Sequence, residues 1–362
     1  MLKRTCLTTL FSLIALFAIL FSFASCGKGG DYPEIKSTKE EATVVATLGD
    51  HEVKYELFRA YFSAMYSGRT AGMTEEGWNA AVRDVMREIA CLYATFDVAS
   101  ENGVDPWGDK INAAVTELVR IQYEGGTTGD GNYVPGVGTR EEYQKALAKA
   151  NLTDAVTRLI YRYDTTLTEL YDYVVTNLTY GNNTGLGGDA RAFFDSDDCA
   201  HGVWVFISDG SLDGRENGVA RADFLRDKLA GAADYADVKE ALIRYAPQGV
   251  LSNDEFEHGF YVSKNQGNTP VQRALIADFF SLSPYECGEI REDADGVWFV
   301  VGLPKDASDY DRDPEAILDL MIEENWINRP IAEKAAAYLA GVSYTSAFPT
   351  FSAEVLTELT VR

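Results

Sequence analysis

The spacing of apolar and polar residues changes period several times along this chain, and each change marks an element. Thr43-Val44-Val45-Ala46-Thr47-Leu48 is β-branched and predicts a short strand. Gly49-Asp50 predicts a turn and His51-Glu52-Val53 an extended return, so a hairpin is expected there. From Lys54 the period becomes helical, with Leu57, Tyr61, Ala64 and Met65 on one face, and Val82, Val85, Met86, Ile89 and Leu92 continuing the pattern in a second helix. Ala99-Ser100-Glu101-Asn102-Gly103-Val104 supplies a glycine stop. Gly125 to Gly138, with six glycines, reads as a loop; no strand leads directly into it, so it is not a phosphate-binding fingerprint. Helical spacing resumes over Arg140 to Leu147, and again from Asn151-Leu152-Thr153 to about Val175.

The second half mixes strand and helix. His201 opens an apolar run, Gly202-Val203-Trp204-Val205-Phe206-Ile207, that reads as a strand, and Val297-Trp298-Phe299-Val300-Val301 reads as another. Between them lie a charged helix around Arg221 to Leu229, the phrase Gly231 to Val238, and Ile276-Ala277-Asp278-Phe279-Phe280-Ser281-Leu282. Pro314 to Leu339 is largely helical, and Pro330 is expected to interrupt it. His51 and His258, each beside a turn, are expected at the surface without chemistry.

The amino terminus bears on where the folded part works. Lys3 and Arg4 precede an apolar run from Leu10 to Phe23, which ends in Phe23-Ala24-Ser25-Cys26. These residues resemble a bacterial lipobox, with Phe23 in place of the usual leucine. The resemblance implies cleavage after residue 25, lipidation of Cys26, and a position on the outer face of the bacterial cytoplasmic membrane. An uncleaved membrane anchor is the alternative, because the run approaches the length of a spanning helix. Gly27 to Pro33 and the polar stretch Lys36 to Glu41 read as a tether.

Loss of residues 1–25 removes Lys3 and Arg4 and moves the formal charge from −24 to −26. So acidic a chain repels nucleic acid and anionic lipid, so nucleic acid is not an expected partner and membrane contact is expected through the anchor alone. Cys91, Cys199 and Cys287 are too widely spaced for a disulfide framework and are expected as free thiols. No CxxC or His/Cys ligand spacing is present. Asp309-Tyr310-Asp311-Arg312-Asp313 begins like a calcium loop, but Pro314 stands at the turn glycine and Leu320 at the bidentate glutamate. No metal or cofactor is expected.

Taken in order, the segments from Phe193 to Leu303 resemble a parvulin-type peptidyl-prolyl isomerase domain: a histidine-bearing strand, a helix, a Gly-x-x-Asp-Phe-like phrase with Tyr235 for the phenylalanine, an apolar helix, Gly288-Glu289-Ile290, and a closing strand. The residues before and after resemble the chaperone-like domain of surface foldases and periplasmic chaperones, whose carboxy-terminal segment returns to complete it. The fold expected is α+β: a mainly helical discontinuous chaperone domain with an inserted parvulin-like domain, a small antiparallel sheet flanked by helices. Its parts would be a lipoprotein signal peptide at 1–25, a tether at 26–42, the helical domain at 43–190, the parvulin-like domain at 191–308, and the completing segment at 309–362.

The resemblance places a catalytic histidine at His201. Gln248 and Trp298 fall where the family has its cysteine or aspartate and its second histidine. Ile276 and Phe280, one helical turn apart, could hold a proline ring or simply fill the core. Rotation about a peptide bond breaks nothing and needs no nucleophile; it needs an apolar cup and a site that favours the twisted amide. The function expected is a membrane-anchored extracytoplasmic foldase for unfolded or secreted polypeptides, with X-Pro isomerisation uncertain because of the two departures. The alternatives are a non-catalytic binding chaperone on the same scaffold and a solute-binding lipoprotein.

Overall fold

A computed structural model describes residues 32–127, 133–179, 186–208, 215–246, 258–267, 270–292 and 296–360. The expected leader at 1–25, Cys26 and Gln248 lie outside them. The chain divides into two compact units, one of Met1–Val174 with Pro330–Arg362 and one of Val175–Arg329. Both mix helices with small antiparallel sheets. The units part at Val174 and Arg329, inside helices; the resemblance set the expected boundaries at 190 and 308.

Unit one opens with the hairpin β1 (Val44–Leu48) and β2 (His51–Lys54), which turns at Gly49, where φ is +59°. Then come α1 (Tyr55–Tyr66), α2 (Glu75–Glu101) and α3 (Asp109–Glu124). The Thr74 hydroxyl caps α2 by accepting the Gly77 N–H, and Gly103, at φ +87°, ends it. A short ribbon, β3 (Gly126–Thr127) with β4 (Tyr133–Val134), leads to α4 (Arg140–Lys149) and α5 (Asp154–Thr179). The apolar stripes of these helices close a core of Leu57, Phe58, Phe62, Trp78, Val85, Met86, Ile89 and Tyr143. The carboxylates of Glu56 and Asp154 are buried within it. Glu56 accepts from Ser37 and Thr153, and Asp154 accepts from the Ile35 N–H, Tyr143 and Arg158. Ile35 and Ser37 are therefore held against unit one, and the tether expected to run to residue 42 is already anchored there.

In unit two, α6 (Leu186–Asp195) precedes β5 (Cys199–Ser208). The helices α7 (Arg215–Leu229) and α8 (Tyr235–Tyr245), β6 (Phe260–Ser263), α9 (Pro270–Ser281), β7 (Arg291–Glu292) and β8 (Gly296–Leu303) follow. The four strands form one antiparallel sheet in the order β6-β5-β8-β7. Successive side chains of a strand point to opposite faces. Val203, Val205 and Ile207 with Val297, Phe299 and Val301 accordingly pack on α7 and α8, while Ala200, Trp204 and Val300 pack on α9.

The chain leaves this sheet through α10 (Ala307–Arg312), α11 (Pro314–Glu323), a π-helical turn (Glu324–Asn328) and α12 (Arg329–Ala340). The expected break at Pro330 is absent. A proline removes one N–H and crowds the carbonyl four residues back, and the wider π turn immediately before it absorbs both effects. Buried Glu324 fixes that turn by accepting from the backbone and side chain of Asn265. The last elements, β9 (Ser343–Tyr344) and α13 (Ala353–Leu359), belong to unit one, where β9 pairs with β1.

Candidate functional site around His201

His201 lies near the start of β5, 6% exposed, and both of its ring nitrogens meet backbone carbonyls. Nδ1 is 2.7 Å from the oxygen of Pro304 and Nε2 is 2.7 Å from that of His258. A neutral imidazole has one N–H, so it donates to only one of the two, whereas the imidazolium satisfies both. Burial holds the His201 pKa below its ordinary value, while the two carbonyls and Asp309 pull it up. Gly259 makes the second contact possible. It sits at φ +69°, and a side chain there would place Cβ 2.8 Å from His201 Nε2.

The ring of His201 stacks on Tyr261 of β6, with centroids 4.1 Å apart and planes 4° from parallel. The Tyr261 hydroxyl donates to Asp309 at 2.8 Å, and Arg312 donates to Asp309 at 2.6 Å. Arg312 also lies 2.5 Å from Nδ1 of His258. His258 is exposed, as its place beside a turn suggested, but it takes part in the site through its carbonyl and ring. Asp309 of the calcium-like run is thus committed to Tyr261 and Arg312. Among the described residues, no group of three or more His, Cys, Asp or Glu is arranged to hold a metal ion.

Trp298 is not brought to His201. The register sets His201 opposite Leu303 and Trp298 opposite Phe206. That is five residues along β8, roughly 17 Å at about 3.4 Å per residue, and the even position puts Trp298 on the α9 face of the sheet. There it is 2% exposed, with the Arg291 guanidinium 5.9 Å from its ring centroid. Arg291 is itself held by Asp278 of α9 through two hydrogen bonds of 2.6 and 2.7 Å.

Ile276, 6% exposed, is closed into the core between α9 and the sheet with Val262, Phe279 and Val300. Phe280 packs at the margin of this core with Trp204, Phe260, Leu275 and Leu282, all partly buried. A half-buried apolar strip thus remains on the α9 side. Nε1 of Trp204 and Nε1 of Trp298 are both enclosed there without an acceptor. Gly202 lets this side pack closely, because a Cβ there would stand 2.7 Å from the Val301 oxygen and 2.8 Å from the Phe279 ring.

Sequence reasoning did not single out Tyr261, and it met Asp309 and Arg312 only in the discounted calcium-like run and Trp204 only within the apolar run of the strand. The alternation of Val203, Val205 and Ile207 with Trp204 and Phe206 is a signal that separates the two faces of β5. Nothing local announces that residues 258 and 304 meet at the His201 ring. Cys199 and Cys287 are free, and burial pushes their thiols up to about 12 and about 11.

No family model matches the chain, and no curated protein does. Among solved structures it is similar to the foldase protein PrsA of Streptococcus pneumoniae, at 12% identity over 74% of this chain and 90% of that one, with a TM-score of 0.29. PrsA of Bacillus subtilis matches at 12% identity over 88% of this chain and 98% of that one, with a TM-score of 0.24. The foldase protein PrsA of Lactococcus lactis matches at 13% identity over 88% of this chain and 99% of that one, with a TM-score of 0.22.

Proposed function

We propose that this protein is an extracytoplasmic foldase, anchored through Cys26 to the outer face of the cytoplasmic membrane, that acts on unfolded secreted polypeptides. The observation that carries the reading is the architecture of unit two. Its histidine strand, two helices, strand, helix and strand pair follow the order in which the sequence resembles a parvulin domain, and they build one antiparallel sheet with helices on both faces.

Within this reading His201 acts by position. With both nitrogens directed at carbonyls it is not a free base, and amide rotation calls for none. It ties the segment at His258 to the exit of β8 at Pro304 and so fixes the rim of the sheet. Phe280, with the half-buried apolar strip beside it, supplies the surface on which a proline ring would rest, and Ile276 supports that surface from beneath.

A second reading, the non-catalytic binding chaperone, is favoured by one specific observation. Trp298 stands on the face away from His201, so nothing at that position joins His201 in a shared site. A protease-coupled isomerisation assay with X-Pro peptides, run beside an aggregation assay with an unfolding client, separates the two readings. Turnover lost in His201→Ala supports the isomerase, and protection without turnover supports the chaperone.

A further inference from the structure

Arg221, Phe224 and Lys228 lie one turn apart along one face of α7, and Arg244 and Tyr245 end α8 beside them. The rings of Phe224 and Tyr245 meet edge to face at 5.7 Å. Three cations surround them. The Arg221 guanidinium is 5.1 Å from the Phe224 centroid, the Lys228 ammonium 5.1 Å from Phe224 and 5.8 Å from Tyr245, and the Arg244 guanidinium 5.3 Å from Tyr245. Arg221 also donates to the Tyr245 carbonyl, and its Nε is enclosed without an acceptor. Among the described residues Arg226 pairs with Asp223, but Arg221, Lys228 and Arg244 pair with no carboxylate. Phe224 is 37% exposed and Ile243 71%.

A chain with a formal charge of −24 repels acidic polypeptides over most of its surface. Three cations held on aromatic faces without carboxylate partners, next to exposed apolar side chains, are the arrangement that attracts an acidic segment bearing an apolar residue. We propose that the α7–α8 face of unit two is a docking surface for acidic stretches of an unfolded polypeptide. The inference rests on the foldase reading only for the identity of the occupant. The surface lies on the sheet face opposite α9 and Phe280, so a client held here is held apart from the strip assigned to proline.

The test uses the full chain in a nonionic detergent and a fluorescent, unstructured peptide of glutamate, serine and leucine, compared with the same peptide carrying glutamine for glutamate. Fluorescence anisotropy should show binding of the glutamate peptide alone, weakened about tenfold by the triple variant R221A/K228A/R244A and retained by the charge-keeping R221K/R244K. Equal binding of the two peptides, or no weakening in the triple variant, overturns the proposal. So does binding of phosphatidylglycerol vesicles without binding of the peptide. Turnover and aggregation suppression, measured on the same proteins with an uncharged client, keep the two readings apart: peptide binding with neither activity would sink the foldase reading and leave the surface standing.

Discussion

Two side chains show most plainly how burial sets the behaviour of single groups. Both carboxyl oxygens of Asp164 are enclosed without a hydrogen-bond partner, and burial raises its pKa well above the usual carboxylate range. The folded state therefore keeps this proton to higher pH than the unfolded chain does, so the stability Asp164 allows is full in acid and is lost as pH rises through the folded pKa. Asp164→Asn should stabilise unit one at pH 8 by about 1–2 kcal/mol, a rise in melting temperature of roughly 2–8 °C, with little gain at pH 4. A destabilised variant at pH 8 would show that the carboxylate has an ionic partner.

His201 has the opposite sign. Burial lowers its pKa, so the unfolded chain takes up the proton first and unit two loses stability as pH falls below about 6.5. Denaturant midpoints should drop less between pH 7.5 and 5 in His201→Gln than in the parent protein. An unchanged acid slope would mean that the two carbonyls outweigh burial.

At the scale of elements, one polar junction helps to hold the returning carboxy-terminal segment. Asp97 of α2 accepts from His51 at 3.0 Å and from Tyr338 of α12, and His51 stacks on Tyr93 with centroids 4.5 Å apart. Asp97→Ala leaves two polar groups without their partner and should cost about 1 kcal/mol at this partly exposed site. Hydrogen exchange should then speed up over 338–345, where β9 pairs with β1, and unchanged protection there would deny the junction its role. Gly202→Ala tests the other unit. Its Cβ would press on the Val301 carbonyl and the Phe279 ring, so a loss of about 1–3 kcal/mol is expected from overpacking, and a neutral result in thermal unfolding would show that α9 can shift.

The elements themselves were legible because they obey local periods. The β1–β2 hairpin announces itself by β-branched residues and Gly49-Asp50, and α1 and α2 by their apolar stripes. Other features depend on distant residues and leave no such trace. His51 reads as exposed until Asp97 and Tyr338 are brought to it, and Pro330 reads as a break until Glu324 is pinned by Asn265. The His201 site was half legible, since the histidine stands out while its acceptors come from residues 258 and 304. The distance and face that separate Trp298 from His201 could not be foreseen, because they follow from strand register.

The whole molecule joins two units that each bury a core of their own, with the chain of unit one interrupted by unit two. In the proposed reading, the α7–α8 face of unit two is a place where an acidic segment approaches an otherwise strongly acidic chain. The central claim is that unit two accelerates X-Pro rotation through a rim fixed by His201. It is tested most directly by protease-coupled isomerisation of a panel of X-Pro peptides, using the chain that begins at Gly27 and its His201→Ala variant. The account predicts turnover above the uncatalysed rate for the parent and a loss of about tenfold or more for the variant, through misplacement of the rim. A parent no faster than buffer would contradict it, leaving aggregation suppression as the activity to be explained.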